Sequence, residues 1–121
     1  MRILCADDEP DIRTILELAL GLDPRIDVEI FASGERLIER ARAGNADAVL
    51  LDATMPGTDG YETCRRLKAD PATARLPVVF LTACAQRAEQ DSALKAGAIA
   101  CLTKPFDPLT LADELLAVLE R

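Results

Sequence analysis

Five polar side chains stand directly behind apolar runs, where buried strands would end. Asp7 and Asp8 follow RILCA, Asp52 follows DAVLL, Thr82 follows PVVFL, and Lys104 follows AIACLT. In a parallel sheet the carboxyl ends of all strands lie along one edge, and open α/β sheets bind their ligands there. These residues would therefore place three carboxylates, one hydroxyl and one ammonium in a single cleft.

Such a set of groups suits phosphoryl transfer assisted by a divalent cation. Clustered carboxylates repel one another, and Mg²⁺, which prefers oxygen ligands, relieves that repulsion. Asp52 would be a carboxylate nucleophile of the kind that forms aspartyl phosphates. Lys104 would neutralise an incoming anion, and Thr82 would donate a hydrogen bond to a phosphoryl oxygen. Each residue alone has an ordinary structural explanation, but their joint placement behind four strands indicates function.

The elements that must position these residues alternate along the chain. Short apolar runs predict strands over 2–6, 28–32, 47–51, 77–81 and 98–103. Continuous rather than alternating apolar runs are typical of strands covered on both faces. Strict alternation of strands and helices predicts an α/β fold with one parallel sheet and helices on both sides.

Periodicity and capping residues predict the five helices. The first spans about 10–22 and turns Ile12, Ile15, Leu16 and Ala19 toward the core. The second is capped by Ser33 and runs to about 42, with Gly44 as its stop. The third begins with a capping box of Asp59 and Glu62 and ends at Asp70-Pro71; the fourth spans about 85–96 and is closed by Gly97. In the last helix Asp107 is the N-cap, Pro108 the first residue, and Leu111, Leu115 and Leu119 face inward.

Composition limits the class of protein. The 121 residues fit one domain, 1–121, and half of them are hydrophobic, which is enough for a real core. A net charge of −7 argues against direct binding to nucleic acid or to an anionic membrane. The four cysteines, Cys5, Cys64, Cys84 and Cys101, match no zinc spacing and are expected to be reduced and mostly buried in a cytoplasmic protein.

Taken together, these motifs resemble the receiver domain of two-component response regulators. The resemblance rests on Asp7-Asp8, on Asp52 followed by Met55-Pro56 and Asp59-Gly60, on Thr82-Ala83 and on Lys104-Pro105-Phe106, in that order over the whole chain. It implies a single doubly wound (βα)5 flavodoxin-like domain with strand order 2-1-3-4-5. It also implies a cis peptide bond between Lys104 and Pro105.

The resemblance also implies a role for each site residue. Asp52 would accept a phosphoryl group from a histidine kinase or a histidine phosphotransfer protein. Asp8, Asp52 and the carbonyl of Thr54 would bind Mg²⁺ directly, and Asp7 would act through a metal-bound water. Thr82 and Lys104, with backbone amides near Thr54 and Ala83, would hold the phosphoryl oxygens. A downstream protein would bind the face made by the fourth helix, fifth strand and fifth helix.

One position departs from the family pattern. Receiver domains usually carry Tyr or Phe three residues before the lysine, as a partner that changes rotamer together with the threonine; here that residue is Cys101. A thiol lacks the bulk to act in this way, and Tyr61 is poorly placed to substitute. An aromatic switch is therefore not expected, and the signal would pass through the loop after Thr82 and the fourth helix.

Several alternatives stay open at this point. A stand-alone receiver is the first choice; a receiver from a longer regulator with a DNA-binding or enzymatic domain, or a phosphorelay shuttle, is the alternative. A flavodoxin-like electron carrier would need a Ser/Thr-rich loop after the first strand and aromatic residues around a flavin. An Asp-nucleophile phosphatase would carry a second Asp at position 54, where this chain has Thr.

Overall fold

Strands and helices alternate along the whole of the described chain. The computed structural model describes residues 1–53, 60–82, 87–104 and 106–120, and for residues 88 and 89 it describes the backbone alone. In chain order the elements are β1 (Arg2–Ala6), α1 (Pro10–Gly21), β2 (Asp27–Phe31), α2 (Gly34–Arg42), β3 (Ala48–Asp52), α3 (Gly60–Ala69), β4 (Val78–Thr82), α4 (Arg87–Lys95), β5 (Ala100–Thr103) and α5 (Leu111–Leu119). The alternation predicted from the sequence is confirmed.

All five strands are parallel and form one sheet in the order β2-β1-β3-β4-β5. The order reverses at β1, where Ala6 is level with Phe31 on one side and with Leu51 on the other. Reversal of this kind opens a crevice outside the carboxyl ends of β1 and β3. The doubly wound flavodoxin-like fold and its strand order are both confirmed.

Helices cover both faces of the sheet and bury two apolar clusters. Leu4 and Phe80 face α2, α3 and α4, whereas Ile3 and Leu81 face α1 and α5. Because successive strand residues point to opposite faces, a strand buried on both sides must be apolar throughout. All five residues of β3 and of β4 are buried, and each fully buried Leu or Phe contributes about 1.5–3 kcal/mol.

Helix ends follow the capping signals in part. Ser33 Oγ accepts the Arg36 amide at 3.3 Å, which confirms the predicted N-cap of α2. Gly97 follows α4 with φ at +109°, a conformation that glycine adopts without steric cost. The α3 capping box stays a prediction, because Asp59 lies outside the described residues.

The predicted start of α5 is wrong by three residues. Asp107 Oδ1 accepts the Leu109 amide at 2.9 Å, and the Asp107 carbonyl accepts the Thr110 and Leu111 amides at 3.1 and 3.0 Å. A short Asp side chain that bonds two residues ahead forms a turn of its own, which competes with the helix cap. The chain therefore turns over 107–110 before α5 begins at Leu111.

Smaller differences affect individual positions. Leu16 and Ala19 are buried as predicted, but Ile15 is 37% exposed, so its predicted inward orientation is wrong. It lies beside Phe106 and Pro108 at the surface. In α5, Leu119 is only half-buried. Strand β5 begins at Ala100 rather than at 98, because the Ala98 amide still bonds back to the Ala93 carbonyl of α4 at 3.1 Å.

Three of the four cysteines lie in the described residues, and all three are thiols rather than disulfides. Cys5 and Cys64 are buried and Cys101 is half-buried. Burial, with a smaller contribution from the nearby Asp7 charge, raises the pKa of Cys5 to about 12. Cys84 lies outside the described residues.

None of the described helices combines the length and the apolar character that crossing a bilayer requires.

Candidate functional site at the switch point

The crevice between the ends of β1 and β3 brings three carboxylates together. Asp7, Asp8 and Asp52 each offer a carboxylate oxygen, and these oxygens lie within 4.8 Å of one another. The register of the sheet explains this, because Ala6 pairs with Leu51 and the next residue on each strand is an aspartate. Asp7 and Asp52 are buried, whereas Asp8 is half-buried at the mouth of the crevice.

Asp7 is the most buried of the three acids. Both of its carboxylate oxygens, its amide and its carbonyl make hydrogen bonds. The residue is fully buried; Oδ1 accepts a hydrogen bond from the Glu9 amide at 2.9 Å, and Oδ2 accepts one from Lys104 Nζ at 3.2 Å. The Asp7 amide donates to the Phe31 carbonyl at 3.1 Å, and its own carbonyl accepts from Arg13 Nη1 at 2.9 Å. The loop after β1 is therefore tied to β2, to α1 and to the lysine.

Lys104 connects two of the carboxylates. Its Nζ lies 3.2 Å from Asp7 Oδ2 and 3.4 Å from Asp52 Oδ2, and the side chain is 16% exposed. Burial alone would lower the pKa of Lys104, but the charges of Asp7 and Asp52 outweigh it and raise that pKa above its usual range. The ammonium is therefore fully protonated near neutral pH.

Backbone hydrogen bonds fix where the lysine and the threonine lie. The Lys104 amide donates to the Thr82 carbonyl at 2.7 Å, so the chain leaving β5 is bound to the end of β4. Thr82 is 5% exposed and is the last residue of β4, one position beyond Leu81, which pairs with Asp52. Thr82 thus ends beside the acids, as expected from the sequence.

Other predicted site residues fall outside the described part of the chain. Thr54 and Ala83, expected to offer a carbonyl and backbone amides, belong to the undescribed segments 54–59 and 83–86. Pro105 of the expected cis peptide is likewise not described.

Sequence reasoning missed Arg13 as a partner of this site. From the sequence alone, Arg13 looks like an ordinary polar residue on the solvent-facing side of α1. The available signal was its position four residues after Glu9, because long side chains in a helix point back toward the N-terminus and so toward the preceding loop.

The cluster of three carboxylates suits a hard divalent cation. Among the described residues it is the one set of three or more such ligands that could hold a metal ion. All potential ligand atoms are oxygens, and no thiol or imidazole takes part, which suits Mg²⁺ better than a transition metal. One lysine leaves the group with excess negative charge that a cation would balance.

Removing that lysine should destabilise the protein and increase its response to magnesium. In Lys104→Met two nearly buried carboxylates lose their neighbouring positive charge, which should lower the free energy of unfolding by about 2 kcal/mol. Urea unfolding with and without Mg²⁺ measures this, and the added stability from the cation should be larger in the variant. Lys95→Met, an exposed lysine at the end of α4, is the control. Equal stability of Lys104→Met and wild type without Mg²⁺ would contradict the electrostatic account.

A family model adds what geometry alone leaves open. The model described as response regulator receiver domain matches residues 3–116. The chain belongs to the response regulator receiver domain family. The resemblance predicted from the motifs is confirmed, and this is the receiver domain of a two-component response regulator.

Named relatives of this receiver domain are longer proteins. It is 40% identical over 111 residues to the response regulator PleD of Caulobacter vibrioides, a match that covers 91% of the receiver domain and 24% of PleD. It is 34% identical over 120 residues to the transcriptional regulatory protein ResD of Bacillus subtilis, covering 99% and 48% respectively. The chain therefore spans less than half the length of either relative.

A solved structure shares the fold of this receiver domain. It is the receiver domain of the sensor histidine kinase PA1611 from Pseudomonas aeruginosa PAO1, with a magnesium ion coordinated in its active-site cleft. The TM-score is 0.86 at 30% identity, and the match covers 99% of this receiver domain and 98% of that chain.

Proposed function

We propose that Asp52 accepts a phosphoryl group from a phosphohistidine of a sensor kinase or phosphotransfer protein, in a reaction that depends on Mg²⁺. The observation that carries this proposal is the position of Asp52: it is buried, 3.4 Å from the Lys104 ammonium, and close to two further carboxylates. A carboxylate so placed can act as a nucleophile while the charge of the incoming group is balanced around it.

In the proposed transfer a carboxylate oxygen of Asp52 forms a bond to phosphorus as the phosphorus–nitrogen bond to the donor histidine breaks. The electron pair of that bond leaves with the donor imidazole, and Asp52 becomes an acyl phosphate. Lys104 would pair with a phosphoryl oxygen, and Thr82 would donate its hydroxyl to another. Backbone amides near Thr54 and Ala83 would complete the set of donors.

Asp8, Asp52 and the carbonyl of Thr54 would hold Mg²⁺, and Asp7 would do so through a bound water. When bound, the cation supplies positive charge that stabilises the transferring phosphoryl group. Asp7 suits an indirect role, because both of its carboxylate oxygens already accept hydrogen bonds within the protein.

Phosphorylation would then act as a switch. A phosphoryl group adds negative charge and strong acceptors at the edge of the sheet, and this would favour one arrangement of the chain beyond β4 and β5. The face made by α4, β5 and α5 carries a groove of about 390 Å³ whose lining includes Leu94, Cys101 and Val118, and we propose that a downstream protein binds there. Tyr61 packs on Phe80 with ring centroids 5.0 Å apart, and this packing makes it a poor substitute for the aromatic residue that is replaced by Cys101. We therefore propose a switch that needs no aromatic rotamer change.

A second proposal concerns the protein that contains this domain. The match to less than half of PleD and ResD favours a receiver that works within a longer regulator over the stand-alone receiver first expected. A phosphorelay shuttle is distinguished from both by return of the phosphoryl group from Asp52 to a histidine of the partner. The predicted cytoplasmic location, and the absence of direct contacts with nucleic acid or membrane, stay predictions.

Magnesium dependence tests the proposed reaction. The purified chain is incubated with a small phosphodonor such as acetyl phosphate and analysed by intact mass spectrometry. We expect the added mass of one phosphoryl group with Mg²⁺ present and none after chelation with EDTA. Equal uptake in EDTA would contradict the role of the carboxylates in holding a cation.

A further inference from the structure

Arg13 reaches from α1 back to the loop that carries two of the acids. Its Nη1 donates to the Asp7 carbonyl at 2.9 Å, although six residues separate the two along the chain. The Arg13 amide bonds to the Glu9 carbonyl at 3.0 Å, which places the residue at the end of the first turn of α1. The guanidinium therefore lies against the loop, and Arg13 is half-buried there.

We propose that Arg13 is a positioning residue for the cation site. It would act by holding the Asp7 peptide, so that Asp7 and Asp8 keep their carboxylates turned toward Asp52. This inference rests on the proposed function, since it concerns how well this chain binds Mg²⁺.

The loop between β1 and α1 needs this support because few other contacts hold the Asp7 carbonyl. Only three residues, 7–9, separate β1 from α1. Glu9, the N-cap of α1, makes no side-chain capping bond. The Asp7 amide, which belongs to the peptide unit between Ala6 and Asp7, is fixed by the Phe31 carbonyl. In the next unit, between Asp7 and Asp8, the hydrogen bond from Arg13 is the one present among the described contacts of the carbonyl.

Electrostatic repulsion between the acids gives this hydrogen bond its importance. Three carboxylates within 4.8 Å push one another apart before any cation binds. Without Arg13, the peptide unit between Asp7 and Asp8 would rotate more freely, which would weaken the bond from the Glu9 amide to Asp7 and let the Asp8 side chain move away from Asp52 and relieve that repulsion. Mg²⁺ would then have to reassemble the site, and its affinity would fall.

A purely electrostatic role of Arg13 predicts the opposite sign. A guanidinium near the site repels a cation, so removal of its charge alone would strengthen Mg²⁺ binding. A loss of affinity on removal of the positive charge can therefore be attributed to positioning. Partners that orient metal ligands from outside the coordination shell typically change affinity by about 10–100-fold.

The experiment compares Mg²⁺ affinity by isothermal titration calorimetry in wild type, Arg13→Met, Arg13→Lys and Arg75→Met. Methionine keeps the apolar stem of the arginine and removes its donors. Arg75, exposed in the segment before β4 and so at the opposite edge of the sheet, is the control for loss of one positive charge. We expect Arg13→Met to bind Mg²⁺ about tenfold more weakly, Arg13→Lys to recover part of the loss, and Arg75→Met to match wild type.

A second readout needs no metal. Hydrogen exchange of the Glu9 amide, which donates to Asp7 Oδ1, should be faster in metal-free Arg13→Met than in wild type, and less so in Arg13→Lys. Unchanged or tighter Mg²⁺ binding in Arg13→Met, or unchanged Glu9 exchange, would overturn the positioning role. If wild type itself fails to bind Mg²⁺, the proposed function is wrong, and the Glu9 measurement still decides whether Arg13 holds the loop.

Discussion

Replacing Asp52 by asparagine should abolish phosphoryl uptake, with the rate from a small phosphodonor falling at least about 10³-fold. The amide has nearly the shape of the carboxylate, so packing at the end of β3 is retained. It lacks the anionic oxygen that would attack phosphorus. Intact mass spectrometry after incubation with acetyl phosphate and Mg²⁺ measures the result.

The Asp52→Asn variant should also fold at least as stably as wild type. One of three mutually repelling carboxylates is neutralised, while Lys104 keeps its contact with Asp7 at 3.2 Å. A loss of phosphorylation therefore cannot be attributed to unfolding. Asp27→Asn, an exposed acid at the opposite end of β2, is the matched control and should take up phosphate normally. Phosphorylation of Asp52→Asn at the wild-type level would refute the assignment.

The second large effect is expected from Gly60→Ala, which should destabilise the fold by about 3 kcal/mol. Gly60 is the first residue of α3 and lies against the end of β3. A Cβ at this position would overlap the Asp52 carbonyl oxygen and come within 2.9 Å of Ala53 Cα. Both are backbone atoms of a buried strand end, so they cannot move aside as a flexible side chain would.

Thermal unfolding measures the effect of Gly60→Ala, and a midpoint lower by about 10 °C is expected for a domain of this size. Because the displaced atom belongs to Asp52, the proposed phospho-acceptor, phosphoryl uptake should also slow. Gly21→Ala is the control: Gly21 ends α1, no atom lies within 4 Å of its added Cβ, and the change should be neutral or stabilising. A Gly60→Ala variant that melts like wild type would show that α3 does not pack on β3 as closely as the structure describes.

The pattern of the sequence allowed most of the fold to be predicted. Apolar runs without polar interruptions indicated strands covered on both faces, and β1 was predicted with its observed bounds. Element ends were less accurate, because an end depends on competition between local hydrogen bonds. The Asx-type turn at Asp107 illustrates this: the same residue type can cap a helix or form its own turn, and here the turn prevails.

The sequence by itself determined which residues meet at the candidate site. Parallel strands end on one edge, so an acid behind β1, an acid at the end of β3 and a lysine behind β5 had to converge once the strands were recognised. Only the tertiary structure decided how they are held: the hydrogen bond from Arg13 to Asp7, the bond between the Lys104 amide and the Thr82 carbonyl, and the tight contact of Gly60 with β3. These contacts depend on side-chain direction and on the distance between elements, and neither leaves a periodic signal in the order of residues.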